Sequence, residues 1–415
     1  MNEFTYVFLF FLVASLFLKL WLNRRQMAHI LFHRDEVPAA FKGKISLEAH
    51  QKAADYTFAK TKIASLSTIV GAALLVMLTL GGVINTLIPL TQLYVTSDTW
   101  AGVALIMTVF LISHLVELPI SIYQTFKIEQ AFGFNRTCYS QFAKDQTLQI
   151  LLLLIIGVPL IFALLWVMRE MGDYWWLYAW LLTIAFTFIM TWLMPTVIAP
   201  LFNEFTPLED EDLNRRITAL MTRCGFSSKG IFVMDGSRRS GHGNAYFTGM
   251  GNNKRIVFFD TLIDTLEADE IEAVLAHELG HFKRKHIVKH MIASTFITLA
   301  GFAILGWLKQ KTWFFDGLDM VLITDAIALL LFILITPVFT TFFQPIGSFF
   351  QRKFEFEADE FASTMTKPSL LIQALVKLYR DNASTLTPDP LYSSFHHSHP
   401  PAGVRIKHLE TLESS

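Results

Sequence analysis

An all-α polytopic membrane protein is the fold class this sequence predicts, and three observations predict it. Of 415 residues, 53% are hydrophobic and only 17% charged, with a mean hydropathy of +0.43; that is too apolar for a soluble enzyme of this length. Seven apolar runs, at residues 5–22, 64–88, 101–122, 149–168, 175–194, 291–308 and 321–343, are long enough, or nearly so, to cross the roughly 30 Å hydrocarbon core as helices. Trp100, Trp175, Trp176, Trp192, Trp307 and Trp313 stand near the ends of these runs, where amphipathic rings prefer the interface.

The first run follows Met1-Asn2-Glu3, with no basic start and no small-residue cleavage site, and so reads as a retained anchor rather than a signal peptide. The loop after it carries Arg24, Arg25, Arg34, Lys42, Lys44, Lys52, Lys60 and Lys62, whereas residues 91–100 carry no Lys or Arg. Basic short loops mark the cytosolic side, so the N-terminus faces outward and the C-terminus the cytosol. Residues 195–290 then lie in the cytosol, and Lys309 and Lys311 are a mild exception. His114, Glu117 and Asp325 fall inside predicted spans, where facing lipid is expensive, and are expected to face a wet interior.

Pro195, Pro200 and Pro207 mark the exit from the fifth span into a polar segment. A helix is expected over residues 209–224, followed by β-prone runs at 230–234, 245–249 and 255–259. Gly251-Asn252-Asn253 is a turn signal that pairs the last two runs as a hairpin. The chain divides accordingly into 1–194 with five spans, a cytosolic segment 195–290, spans six and seven over 291–345, and a C-terminal segment 346–415. A net charge of −1 gives no basic balance for nucleic acid. Cys138 and Cys224, far apart on the cytosolic side, imply no disulfide framework.

The chemistry begins at His277-Glu278-Leu279-Gly280-His281. On a helix, His277 and His281 lie one turn apart on one face and can bind a single zinc ion at roughly 2.0–2.1 Å. Glu278 sits one step round, placed to act as general base on a water at the metal. The run from Thr265 supports such a helix: an N-cap, acids in the first turn, and Ile271, Val274 and Leu275 at helical spacing. His286 and His290 form a second i,i+4 pair without a following Glu and read mainly as polar residues at a membrane entry.

A hydrolytic zinc site needs three protein ligands and one open position. The best third candidate is Glu355, because in a helix it shares a face with Asp359, which can accept the free N–H of a ligand histidine. Glu357 points elsewhere. His277 precedes the sixth span and Glu355 follows the seventh, so the hairpin of these spans returns both to one membrane face. The strand at Asn244, Ala245, Tyr246 and Phe247, leading to the metal helix, could bind an extended substrate by strand addition; covering the helix is its alternative role.

The His-Glu-Leu-Gly-His motif with His286, the Glu355-Phe356-Glu357-Ala358-Asp359 segment, Asn244-Ala245-Tyr246-Phe247, Lys254-Arg255-Ile256-Val257 and Ser398-His399-Pro400-Pro401 with Arg405 together resemble the type I CAAX prenyl proteases. Asp55-Tyr56 through Lys60-Thr61-Lys62, and Ala199-Pro200-Leu201-Phe202, extend the resemblance over nearly the whole chain. It implies an integral-membrane zinc endopeptidase with one zinc per chain, its seven helices forming an α-barrel around an intramembrane chamber. It also implies peptide or protein substrates, prenylated ones included, and site roles for His399, as an oxyanion donor, and Arg405, as a brace for a carboxylate of the site or of the substrate terminus. His286 joins Asp359 in the outer shell of the metal.

Very short non-cytosolic loops and the lack of an endoplasmic-reticulum retrieval signal point to a bacterial inner membrane, the endoplasmic reticulum being the eukaryotic counterpart. Two rivals stand beside this reading: a membrane quality-control protease without prenyl specificity, and a transporter or scaffold with a structural metal. A structural zinc would close all four positions with protein ligands.

Overall fold

Helices of 30 residues and more dominate the structure, a computed structural model that describes residues 1–226, 230–248 and 255–414. Seven helical segments are long and apolar enough to cross a membrane. They are α1 (Glu3–Phe32), α2 (Leu47–Leu78), α4 (Asp98–Tyr123), α5 and α6 (Tyr139–Leu152, Val158–Glu170), α7 and α8 (Trp175–Leu193, Ala199–Phe202), α12 (His286–Leu308), and α14 and α15 (Asp325–Thr340, Gln344–Met365). Two short helices lie on connections between spans, α3 (Val83–Tyr94) and α13 (Thr312–Asp316).

The helix ends follow local chemistry. Asn2 and Thr5 form a reciprocal capping box on α1, and the Ser46 side chain caps α2. Wider π-turns join α5 to α6 at Leu153–Gly157 and α7 to α8 at Met194–Ile198, where Pro195 lacks an N–H.

The expected second span, 64–88, is corrected at both ends: α2 starts at Leu47 and stops at Leu78. Gly82, at φ 72°, turns the chain into α3, so Ile84 and Ile88 reach the buried core from a separate helix. Asp325 stands at the very start of the seventh span. It opens α14, follows the Thr324 cap and pairs with Lys309 at 2.5 Å. Glu117 accepts a 2.7 Å hydrogen bond from Ser67 and lines a cavity of about 380 Å³ with Ser15 and Lys19, as a wet interior requires. His114, by contrast, keeps Nε2 buried without a hydrogen-bond partner.

The spans do not pack into a solid bundle. Only 6% of the apolar window of the fifth is buried, against 50% of the seventh, so the last span is the central pillar. A core around Ile106, Phe314, Phe315 and Leu330 ties it to α4 and to the connection before it.

A second core, with Phe41, Ile217, Phe258, Leu279 and Ile406, builds the polar lobe. Its elements are β1 (Phe205–Pro207), α9 (Glu211–Cys224), β2 (Ile231–Met234), β3 (Ala245–Thr248), β4 (Arg255–Phe259), α10 (Asp260–Ile263) and α11 (Ala268–Lys283). From beyond the seventh span come the end of α15, α16 (Pro368–Asp381), α17 (Pro390–His396) and α18 (Ala402–Glu413). The expected hairpin is present, Ala245 pairing Phe258 and Thr248 pairing Arg255, while its turn at 251–253 lies outside the described residues. It belongs to a larger sheet of order β1-β2-β4-β3, in which β2 runs parallel to β4 and β1 and β3 are the edge strands.

Candidate active site

α11 is the central helix of the lobe, buried on most of its circumference from Ile271 to Leu279. Glu267, not Thr265, caps it: the Glu267 N–H donates to Glu270 at 2.8 Å in a capping box. The Thr265 hydroxyl instead bonds back to the Thr261 carbonyl. α15 crosses α11 closely because small residues meet there. A side chain on Gly280 would start 3.0 Å from the Ala358 backbone.

That approach brings three side chains to one point. His277 Nε2 and His281 Nε2 lie 3.3 Å apart, and each lies 3.3 Å from an oxygen of Glu355. A ligand atom from each of the three falls within 4.8 Å of the others. Glu355 is 6% exposed, yet its Oε2 has no hydrogen-bond partner. That oxygen has His277 Nε2 at 3.3 Å and the Arg405 guanidinium at 3.6 Å but no hydrogen bond, which leaves its lone pairs open to a metal ion, and the donor set of two imidazoles and a carboxylate is that of a catalytic zinc site. Among the described residues, no fourth His, Cys, Asp or Glu joins the cluster. The structure therefore fits zinc with an open position and gives no support to a closed structural site.

The expected outer contacts are in place. His277 Nδ1 lies 2.8 Å from Asp359 Oδ1, and Arg405 donates to both Asp359 oxygens, at 2.5 and 2.9 Å. Burial and the Arg405 charge both oppose a proton on His277, but the Asp359 and Glu355 carboxylates beside it prevail and hold its pKa up at about 9. The surroundings thus favour positive charge at this point. Arg405 is 5% exposed and lies 3.6 Å from Glu355, so of its two expected targets the structure places it against carboxylates of the site. His281 Nδ1 meets His286 Nδ1 at 3.0 Å, placing His286 at the metal helix and not merely at a membrane entry.

Glu278 is half-buried and opens into a pocket of about 300 Å³ with Tyr246, Phe247 and His281. His399 Nε2 stands 3.4 Å from Glu355 Oε1, and desolvation keeps its imidazole below the usual range, Glu355 pulling the other way. His399 and Asn244 line a larger cavity of about 920 Å³. The edge strand β3 consequently runs past the cluster, with one cavity at Asn244 just before it and the other along Tyr246 and Phe247.

Two groups that shape the site had no signal in the sequence beyond their type. Arg352 donates to the carbonyls of Ser393, Ser394 and His397 at 3.2, 3.3 and 3.1 Å, capping α17 and holding the loop that carries His399. Asn382 brackets Gly243 with hydrogen bonds to its N–H and from its own amide to the Gly243 carbonyl, at 2.9 and 3.1 Å, fixing the entry to β3.

Comparison with known proteins agrees with this architecture. Residues 26–204 match the family described as CAAX prenyl protease N-terminal, five membrane helices, and residues 207–413 match peptidase family M48. The CAAX prenyl protease 1 homolog of Dictyostelium discoideum is 34% identical over 99% of this chain and 97% of its own. CAAX prenyl protease 1 of Saccharomyces cerevisiae is 31% identical over 96% and 94%. The crystal structure of S. mikatae Ste24p superposes with a TM-score of 0.92 at 30% identity, covering 99% of both chains. The chain belongs to the M48 peptidases of the CAAX prenyl protease 1 type, a multi-pass membrane protein and zinc metalloendopeptidase.

Proposed function

We propose that this chain cuts prenylated peptides at the cytosolic face of its membrane, with one zinc ion held by His277, His281 and Glu355. The observation that carries the site is the buried Glu355 carboxylate, one oxygen 3.3 Å from His277 Nε2 and the other 3.3 Å from His281 Nε2; the substrate class rests on the names of relatives that match along almost their whole length. The orientation follows the Lys and Arg distribution.

When bound, zinc supplies Lewis-acid polarisation of the scissile carbonyl and makes water a nucleophile near neutral pH. The chain supplies the rest. Glu278, in the pocket beside the edge strand, takes the proton of the attacking water and hands it to the leaving amine. His399 donates to the oxygen on which charge develops. β3 offers its free edge to an extended substrate, so that main-chain hydrogen bonds set the position of the peptide. Asp359, clamped by Arg405, holds His277 in one tautomer.

The test is cleavage of paired peptides, prenylated and unprenylated, by the purified protein before and after chelation. The expected result is zinc-restorable cutting that prefers the prenylated partner. Equal cutting of both peptides would sink the lipid requirement and favour a general membrane protease.

A further inference from the structure

The two histidines of the cluster are oriented by different routes. His277 gives Nδ1 directly to a carboxylate, that of Asp359. His281 Nδ1 instead faces another imidazole, His286 Nδ1, at 3.0 Å. The far nitrogen of that ring, His286 Nε2, lies 3.0 Å from Glu357 Oε2. His286 is 2% exposed and stacks on Phe354, with ring centroids 4.3 Å apart.

Hydrogen-bond direction along this row is determined once His281 commits Nε2 to a metal. A ligand nitrogen must present its lone pair, so the His281 proton sits on Nδ1 and donates to His286 Nδ1. His286 then carries its own proton on Nε2 and donates to Glu357, which as a carboxylate can only accept. No other arrangement of a single proton per ring satisfies all three contacts. The backbone makes the row possible. Lys285, at φ 57°, reverses the chain between α11 and α12, so His286 folds back beside His281. Glu357, two residues past Glu355, leaves α15 on the face turned towards the start of α12.

We infer that Glu357 is a positioning residue for the metal centre, fixing the tautomer and ring orientation of His281 through His286. α15 would then contribute one ligand, Glu355, and the terminal carboxylate for each histidine, Asp359 for His277 and Glu357 for His281. This role for Glu357 rests on zinc binding by His277, His281 and Glu355.

The experiment measures zinc affinity and the visible spectrum of the cobalt-substituted protein for wild type, Glu357→Ala, Glu357→Gln, His286→Ala and the Glu357→Ala/His286→Ala double variant. Outer contacts of this kind are worth about 10–100-fold in metal affinity. Glu357→Ala and His286→Ala are each expected to weaken zinc by that order and to alter the cobalt bands. Glu357→Gln, whose amide oxygen still accepts from His286, is expected to restore most of the affinity. Because the two residues act in series, the double variant should lose no more than His286→Ala alone. Lys289→Ala, which removes the 3.4 Å ammonium contact to Glu357 but keeps the row, should bind zinc like wild type. Wild-type affinity in Glu357→Ala, or losses that simply add, would overturn the inference. Failure of the wild type to bind zinc would instead strike the three-ligand site itself. Thermal melting of each metal-free variant separates a general loss of fold from a loss at the metal.

Discussion

One residue beyond His277 along α11, the helix has turned by about 100°, which takes Glu278 out of the ligand cluster and into the pocket with Tyr246 and Phe247. Its carboxylate is therefore free to move protons without holding metal. Glu278→Gln, which keeps shape but cannot take a proton, should retain zinc and fold while turnover falls by at least ~10²-fold; bound metal with near wild-type turnover would exclude it as the base. At this scale the sequence was readable wherever geometry is local. His277, Glu278 and His281 follow from one helical turn, and Asp359 from its i,i+4 relation to Glu355. Glu357 was not readable, because its reach to His286 depends on Lys285 at positive φ, which no residue type announces. The sequence leaves Arg405 two targets, and its burial against Asp359 favours the site carboxylate.

Between elements, the distance from α11 to α15 determines whether Glu355 reaches the histidines. Gly280→Ala places a methyl 3.0 Å from the Ala358 backbone, and overpacking of this kind costs typically ~1–3 kcal/mol. The variant should melt lower and bind zinc more weakly, measured by thermal unfolding and metal titration; unchanged affinity would show that the crossing can relax without moving Glu355. Arg352 governs a different element. Without it the carbonyls of Ser393, Ser394 and His397 each lose a donor, and the His399 loop loosens. Arg352→Ala should keep zinc while turnover drops ~10–10²-fold, as for a group displaced by about 1 Å; metal content and turnover measured on one preparation check this. Element type was legible where periodicity is long, and the runs expected for β2, β3 and β4 lie close to the strands themselves. The four-stranded sheet was not legible, because β2 pairs in parallel with β4 across a long connection and β1 has three residues ending in Pro207. The break after Leu78 depended on the conformation of Gly82 within an otherwise apolar run.

Across the whole molecule, the cluster joins α11, which precedes the sixth span, to the middle of α15, which continues the seventh, so its existence is a statement about topology. The approach of Glu355 to His277 was legible for that reason: an even number of crossings between them would return both to one face. Single cysteines at Arg284 and Lys353, both exposed, in a background lacking Cys138 and Cys224, should react with an impermeant thiol reagent only from the cytosolic side. A cysteine at Gln310, on the connection between these spans, should react only from the other; labelling of the first two from opposite faces would separate the ligands by a bilayer. The most direct measurement is the zinc content of detergent-purified wild type and Glu355→Ala, each confirmed as folded. Zinc equimolar with the wild-type chain and nearly absent from the variant is the expected result, since a carboxylate ligand from α15 completes the site. Full zinc and full turnover in Glu355→Ala would contradict it and move the third ligand to another residue.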